Sequence, residues 1–131
     1  MTCKDRIRDQ WAGRKADLRV FMGDPDGNED IGSFYDYGLA FDYVTPGTFK
    51  DQTRGYWRYQ LSWGGPSDEI RFYGEVQGFR AALDRADYHF MDWFDGAKIN
   101  VTDEPVVQWL WQHFADCESL QCAREQALKE E

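Results

Sequence analysis

Gly55-Tyr56-Trp57-Arg58-Tyr59-Gln60-Leu61-Ser62-Trp63-Gly64-Gly65-Pro66-Ser67-Asp68-Glu69-Ile70-Arg71-Phe72-Tyr73 is the stretch whose reading decides the fold. Trp57, Tyr59, Leu61 and Trp63 alternate with Tyr56, Arg58, Gln60 and Ser62, the period-two pattern of a half-buried strand. Gly64-Gly65-Pro66 cannot continue a strand, because glycine admits positive φ and proline lacks a backbone donor. Beyond it Ile70 and Phe72 alternate with Arg71 and Tyr73. The stretch is therefore a hairpin, and Trp57, Tyr59, Leu61, Ile70 and Phe72 are its expected core residues.

Two further alternating segments flank the hairpin. In Ser33–Val44, Tyr35, Tyr37, Leu39, Phe41 and Tyr43 share one face, and Phe34, Asp36, Gly38, Ala40 and Asp42 the other. The first set is expected to face the core. In Asp87–Asp95, Tyr88, Phe90, Asp92 and Phe94 alternate with His89, Met91 and Trp93. Asp92, on an otherwise aromatic face, needs a donor such as arginine if it is buried. Residues 76–86 read as a short helix or a structured connection, and Lys98–Val101 as an added edge segment.

The chain ends read as helices. In residues 3–22, Ile7, Trp11, Leu18 and Phe21 fall roughly on one face, with Gly13 a point of kinking. Thr102-Asp103-Glu104-Pro105 opens a helix carrying Val106, Leu110 and Phe114, and a last helix spans 118–129. The expectation is one α+β domain over residues 1–131. An antiparallel sheet of about four strands (33–44, 55–63, 69–75, 87–95) has N- and C-terminal helices packed on it.

Composition narrows the function. The chain has 131 residues, 17% aromatic, with a net charge of −9. Residues 1–22 hold six basic and three acidic side chains; the remainder holds nine basic and twenty-one acidic, a net of −12. Direct nucleic-acid binding is disfavoured, because phosphates need lysine and arginine. No apolar run approaches the roughly 18 residues of a membrane span. Met1-Thr2-Cys3-Lys4-Asp5-Arg6 also lacks the apolar centre of a signal peptide. A cytoplasmic location is expected. Cys3, Cys117 and Cys122 are an odd count without a secreted-framework pattern, so free thiols are expected.

From Asp24 to Phe49 there are six acidic residues and no basic one. Asp24, Asp26, Asn28 and Asp30 have the alternate spacing of a calcium loop. The sixth position, however, is Glu29 instead of glycine and the twelfth is Tyr35 instead of glutamate. A solvated acidic turn is the better reading. No metalloprotease helix, nucleophile elbow, zinc pair or dinucleotide loop is present, so neither an enzyme nor a bound cofactor is expected. His89 and His113 read as structural.

Arg58–Glu69 together with Phe90-Met91-Asp92-Trp93-Phe94-Asp95-Gly96-Ala97 is similar to a family of small acidic proteins encoded on phages, prophages and plasmids. The similarity covers roughly Gly55 to Phe114, and residues 1–50 fall outside it. It implies a mobile-element setting, in which small acidic proteins inhibit host defence by imitating DNA. On that reading Asp24, Asp26, Glu29, Asp30, Asp36 and Asp42 contact the basic nucleic-acid-binding surface of a bacterial host defence complex. B-DNA carries one charge per about 1.7 Å of axis, and alternate residues of a strand lie about 6.6 Å apart, so acids on one sheet face form a regular row. The alternative is a small interaction or immunity module that binds through exposed aromatics near Trp57, Trp63 and Trp93.

Overall fold

A computed structural model describes residues 2–130. The protein is α+β: a five-stranded antiparallel meander with helices from both ends of the chain. Helix α1 (Cys3–Gly23) begins in a capping box, in which Thr2 and Asp5 satisfy each other's free backbone donors. It runs through Gly13 unbroken. A single helical turn, α2 (Phe34–Tyr37), precedes β1 (Ala40–Val44), β2 (Tyr56–Ser62), β3 (Ser67–Gln77), β4 (Arg80–Asp92) and β5 (Asp95–Asn100). Helices α3 (Pro105–Asp116) and α4 (Ser119–Lys129) close the chain, with Pro105 in the first turn of α3.

The hairpin forms as its alternation predicts. Trp57 faces Phe72 and Tyr59 faces Ile70 across β2 and β3, and all four are buried together with Leu61. The same sheet face carries Phe41, Tyr43, Tyr88 and Phe90, and all three long helices pack on it. Trp11 of α1 meets Tyr88 with ring centroids 5.0 Å apart. Phe114 of α3 stacks on Phe41 at 4.0 Å. Trp57 donates its indole N–H to the Leu120 carbonyl of α4 at 2.7 Å. At Gly74, beside the β3 bulge, a Cβ atom would lie 2.9 Å from the Trp111 ring and 2.4 Å from the Ala82 carbonyl oxygen. Trp111 can lie against the sheet there because the strand has no side chain.

Among the described residues the opposite face carries no helix. Asp42, Arg58, Arg71 and Asp87 line up across β1 to β4, and Gln60, Glu69, His89 and Lys98 form the next row. Arginines lie over this face. Arg58 pairs with Asp42 at 2.6 Å, Arg71 with Glu69 at 2.7 Å and Arg85 with Asp87 at 2.7 Å. Arg71 also covers the Tyr56 ring at 4.9 Å. Glu69, Asp87 and Tyr56 are buried beneath this layer although they point away from the helices.

Three segments differ from expectation. Ser33–Val44 is not one strand. Phe34 is drawn into the core against Phe21, Trp109 and His113, which coils residues 34–37 and leaves Tyr35 and Leu39 exposed. Tyr37, Phe41 and Tyr43 do pack against the core. Residues 76–86 are neither helix nor connection but the tip of the long β3–β4 hairpin, where Val76 faces Ala81 and Phe79 is fully exposed. The edge segment near 98–101 begins earlier, at Asp95, and is a full fifth strand.

Candidate interaction surface

The acidic segment is an exposed loop. Asp24, Asp26, Glu29, Asp30 and Asp36 are all exposed, and none belongs to an ion pair among the described residues. The alternate spacing that resembles a calcium loop builds local turns instead. Asp24 Oδ1 accepts from the Asp26 N–H at 3.0 Å, and Asn28 Oδ1 accepts from the N–H groups of Asp30 and Ile31, both at 3.0 Å. The segment is tied down by Phe34 in the core and by the Phe34 N–H, which donates to the Pro25 carbonyl at 2.9 Å.

Asp42 stands apart from the other five. It lies on the helix-free sheet face and is held by Arg58, whose Nε and Nη2 donate at 3.0 and 2.6 Å. The expected regular row of carboxylates along one strand does not form, because the helical turn at Phe34–Tyr37 separates Asp36 from β1.

Three of the six basic residues of α1 form ion pairs among the described residues. Arg6 reaches Asp92 at 2.5 Å, Arg14 reaches Asp68 at 2.7 Å and Lys15 reaches Glu104 at 2.8 Å. Asp92 thus has the arginine partner its aromatic setting requires. Asp68, 3% exposed, accepts from Arg14 Nε and Nη2 at 2.7 and 2.9 Å, from the Tyr88 hydroxyl at 2.5 Å and from the Ser62 hydroxyl. Burial opposes the Arg14 charge, but hydrogen bonds to Asp68 and Tyr37 hold its pKa above the ordinary arginine value. Burial and the bond to Asp68 push the Tyr88 hydroxyl well up. This network fastens α1 to the sheet.

Two neighbouring turns carry a second surface. Trp63, Trp93 and Phe94 are 68%, 89% and 104% exposed. Trp63 follows β2, while Trp93 and Phe94 form the two-residue turn between β4 and β5. Ser67 faces Met91, which sets the two turns side by side. Ala40, the first residue of β1, faces Gln60 at this same end of the sheet, soon after the acidic segment. Trp93 has φ +57°, a left-handed conformation that a bulky residue rarely adopts. Trp57, by contrast, is 2% exposed and belongs to the core, so it leaves the expected aromatic surface. Phe94 joins that surface although its alternation within residues 87–95 suggests a strand position; Asp92 facing Asp95 ends the strand before it.

His89 lies on the helix-free face with Nε2 buried and without a hydrogen-bond partner among the described residues. Burial, reinforced by Arg71, Lys98 and Arg85, pushes its pKa down to about 3, so it is neutral at pH 7. At the end of α3, Cys117 Sγ lies 3.8 Å from His113 Nε2. Cys3, Cys117 and Cys122 are free. Among the described residues no three His, Cys, Asp or Glu side chains cluster to hold a metal, and no helix is long and apolar enough to cross a membrane. No family model, curated protein or solved structure matches the chain.

Proposed function

We propose that this protein is a non-enzymatic inhibitor that occupies the basic nucleic-acid-binding surface of a partner protein. The proposed setting is that of a mobile-element protein acting on a bacterial host defence complex, of the anti-CRISPR or anti-restriction type. The observation that carries the reading is the cluster Asp24, Asp26, Glu29, Asp30 and Asp36, exposed and without ion pairs among the described residues. A single-sign field of this kind steers a cationic partner from a distance. Asp42 contributes less, because Arg58 already neutralises it. The second reading, an interaction or immunity module without DNA imitation, is favoured by the exposed rings of Trp63, Trp93 and Phe94.

A titration against the captured partner at low and high salt tests the first reading. Replacing Asp24, Asp26, Asp30 and Asp36 by Asn and Glu29 by Gln keeps size and polarity. Association should slow at least tenfold at low salt, and its salt dependence should flatten. Equal binding of the wild type and the five-fold variant at both salt concentrations would leave the aromatic reading in its place.

A further inference from the structure

We infer that the cavity between the end of the acidic segment and the end of α3 seats a tryptophan side chain from a lysine- or arginine-rich segment of the partner. The inference rests on the acidic-contact reading above and adds the anchor by which the partner is held. The cavity has a volume of about 360 Å³, and Phe34, Phe41 and Phe114 supply its rings. Tyr35 and Leu39 stand at its rim and are 71% and 59% exposed. Apolar side chains left exposed around a cavity mark a contact made outside the chain. The Tyr59 hydroxyl belongs to the same wall beside Gly38, on a residue 4% exposed, and has no hydrogen-bond partner among the described residues. A buried hydroxyl in that state costs stability that a hydrogen-bonding occupant recovers.

The acidic segment borders this cavity. Asp36 lies in sequence between the wall residues Tyr35 and Gly38. The Phe34 N–H donates to the Pro25 carbonyl at 2.9 Å, which brings Asp24 and Asp26, on either side of Pro25, to the Phe34 wall. On the far wall the exposed Glu118 lies between Cys117 and Ser119. None of these four carboxylates belongs to an ion pair among the described residues.

The chemistry then selects the occupant. An apolar cavity rimmed by free carboxylates repels an anionic ligand and complements an apolar side chain flanked by cations. Tryptophan meets the aromatic walls with a large apolar ring, and its indole N–H is a donor for the Tyr59 oxygen. It is also a residue on which binding energy concentrates when it fills a desolvated pocket, while charges at the rim steer the approach.

The test uses the full chain carrying Cys122→Ser, which leaves Cys117, at the cavity, as the exposed thiol, since Cys3 is buried. The probes are fluorescein-labelled Lys-Lys-Gly-Trp-Gly-Lys-Lys and the same peptide with serine in place of tryptophan. Binding is read by anisotropy, and occupation of the cavity by the rate at which iodoacetamide alkylates Cys117. The tryptophan peptide should bind about tenfold more tightly than the serine peptide. It should also slow alkylation, which the serine peptide leaves unchanged. Tyr35→Ser/Leu39→Ser, both at exposed positions, should keep the wild-type melting midpoint and erase the difference between the peptides. Equal binding of the two peptides, or a difference that survives in that variant, overturns the inference. If the five-fold acid variant still binds both peptides more weakly, the acidic reading stands without it. Peptide binding unchanged in the acid variant, or no binding of either peptide to the wild type, overturns both readings. Free indole that slows alkylation as well as the tryptophan peptide at equal concentration assigns the cavity to a small ligand. A dimer of this chain that dissociates when Cys117 is alkylated assigns it to a second copy, and either result overturns the inference.

Discussion

Asp68→Ala is expected to be the most damaging change of a single polar side chain. The substitution removes the acceptor of four hydrogen bonds, from Arg14 Nε and Nη2, the Tyr88 hydroxyl and the Ser62 hydroxyl. Breaking a buried ion pair from one side costs about 3–5 kcal/mol. Arg14 retains 23% side-chain exposure, so water reaches the stranded guanidinium and the low end, about 3 kcal/mol, applies. The Tyr88 hydroxyl sits on a residue with 0% exposure, and losing its acceptor adds about 1 kcal/mol. The sum, about 4 kcal/mol, is a large part of the roughly 5–15 kcal/mol of a typical domain. At roughly 4 °C per kcal/mol for a chain of this length, the thermal midpoint falls by about 16 °C. Urea unfolding of the wild type, Asp68→Ala, Arg14→Met and the double variant completes the cycle. The double variant leaves no stranded charge, and should be about 2 kcal/mol more stable than the sum of the single losses implies. A single-variant loss below about 1 kcal/mol, or strict additivity, would refute the claim that this network clamps α1 to the sheet.

Leu61→Ala, in the core face of β2, should lower stability by about 2–5 kcal/mol, and an unchanged denaturant midpoint would show the faces of β2 to be reversed. The His89 pKa is depressed in the folded state, so the unfolded chain takes up a proton near pH 6.5 that the folded chain refuses until about pH 3. Its contribution to stability is therefore present above pH 6.5 and lost progressively as pH falls toward 3. Comparing melting curves across that window, wild type should lose more stability than His89→Gln, and parallel curves would refute the assignment. Gly74→Ala should destabilise the protein by displacing the Trp111 ring, visible as a changed near-ultraviolet circular dichroism signal; an unaltered spectrum and midpoint would show that the close approach is not needed.

The hairpin was legible because its two periods are local: Trp57, Tyr59 and Leu61 on one side, Arg58 and Gln60 on the other. The start of α3 was legible from Pro105 in its first turn, although Glu104, and neither Thr102 nor Asp103, stands at the N-cap and makes no side-chain cap bond. Residues 80–83 were not, because Arg80, Ala81 and Ala82 have weak strand preference and are held extended by their pairing with β3. In residues 33–44 the alternation of aromatics was real, but a single ring, Phe34, decided the local backbone by finding a core site among distant residues. The exposure of Asp24–Asp36 could be read from composition. The neutralisation of Asp42 could not, since its partner Arg58 lies on the neighbouring strand. Trp63 and Phe94 continue the alternation of their strands by one step or two, and only the turn positions show that the pattern outlasts the strand.

The course of α1 bears on the order of assembly. Its first turn meets β5 through the Cys3 N–H and Asp95, its middle meets Asp68 and Tyr88, and its end meets Phe34. The strands, by contrast, pair only with their neighbours in sequence. Hairpins of that kind close over short loops, whereas α1 must wait for residues about fifty to ninety positions away. During synthesis the helix emerges before the sheet, with Ile7, Trp11, Leu18 and Phe21 unshielded until β3, β4 and β5 follow. Helix α1 is thus made well before the strands that bury it, and a chain stalled before Asp95 would present that apolar stripe to whatever else is in solution.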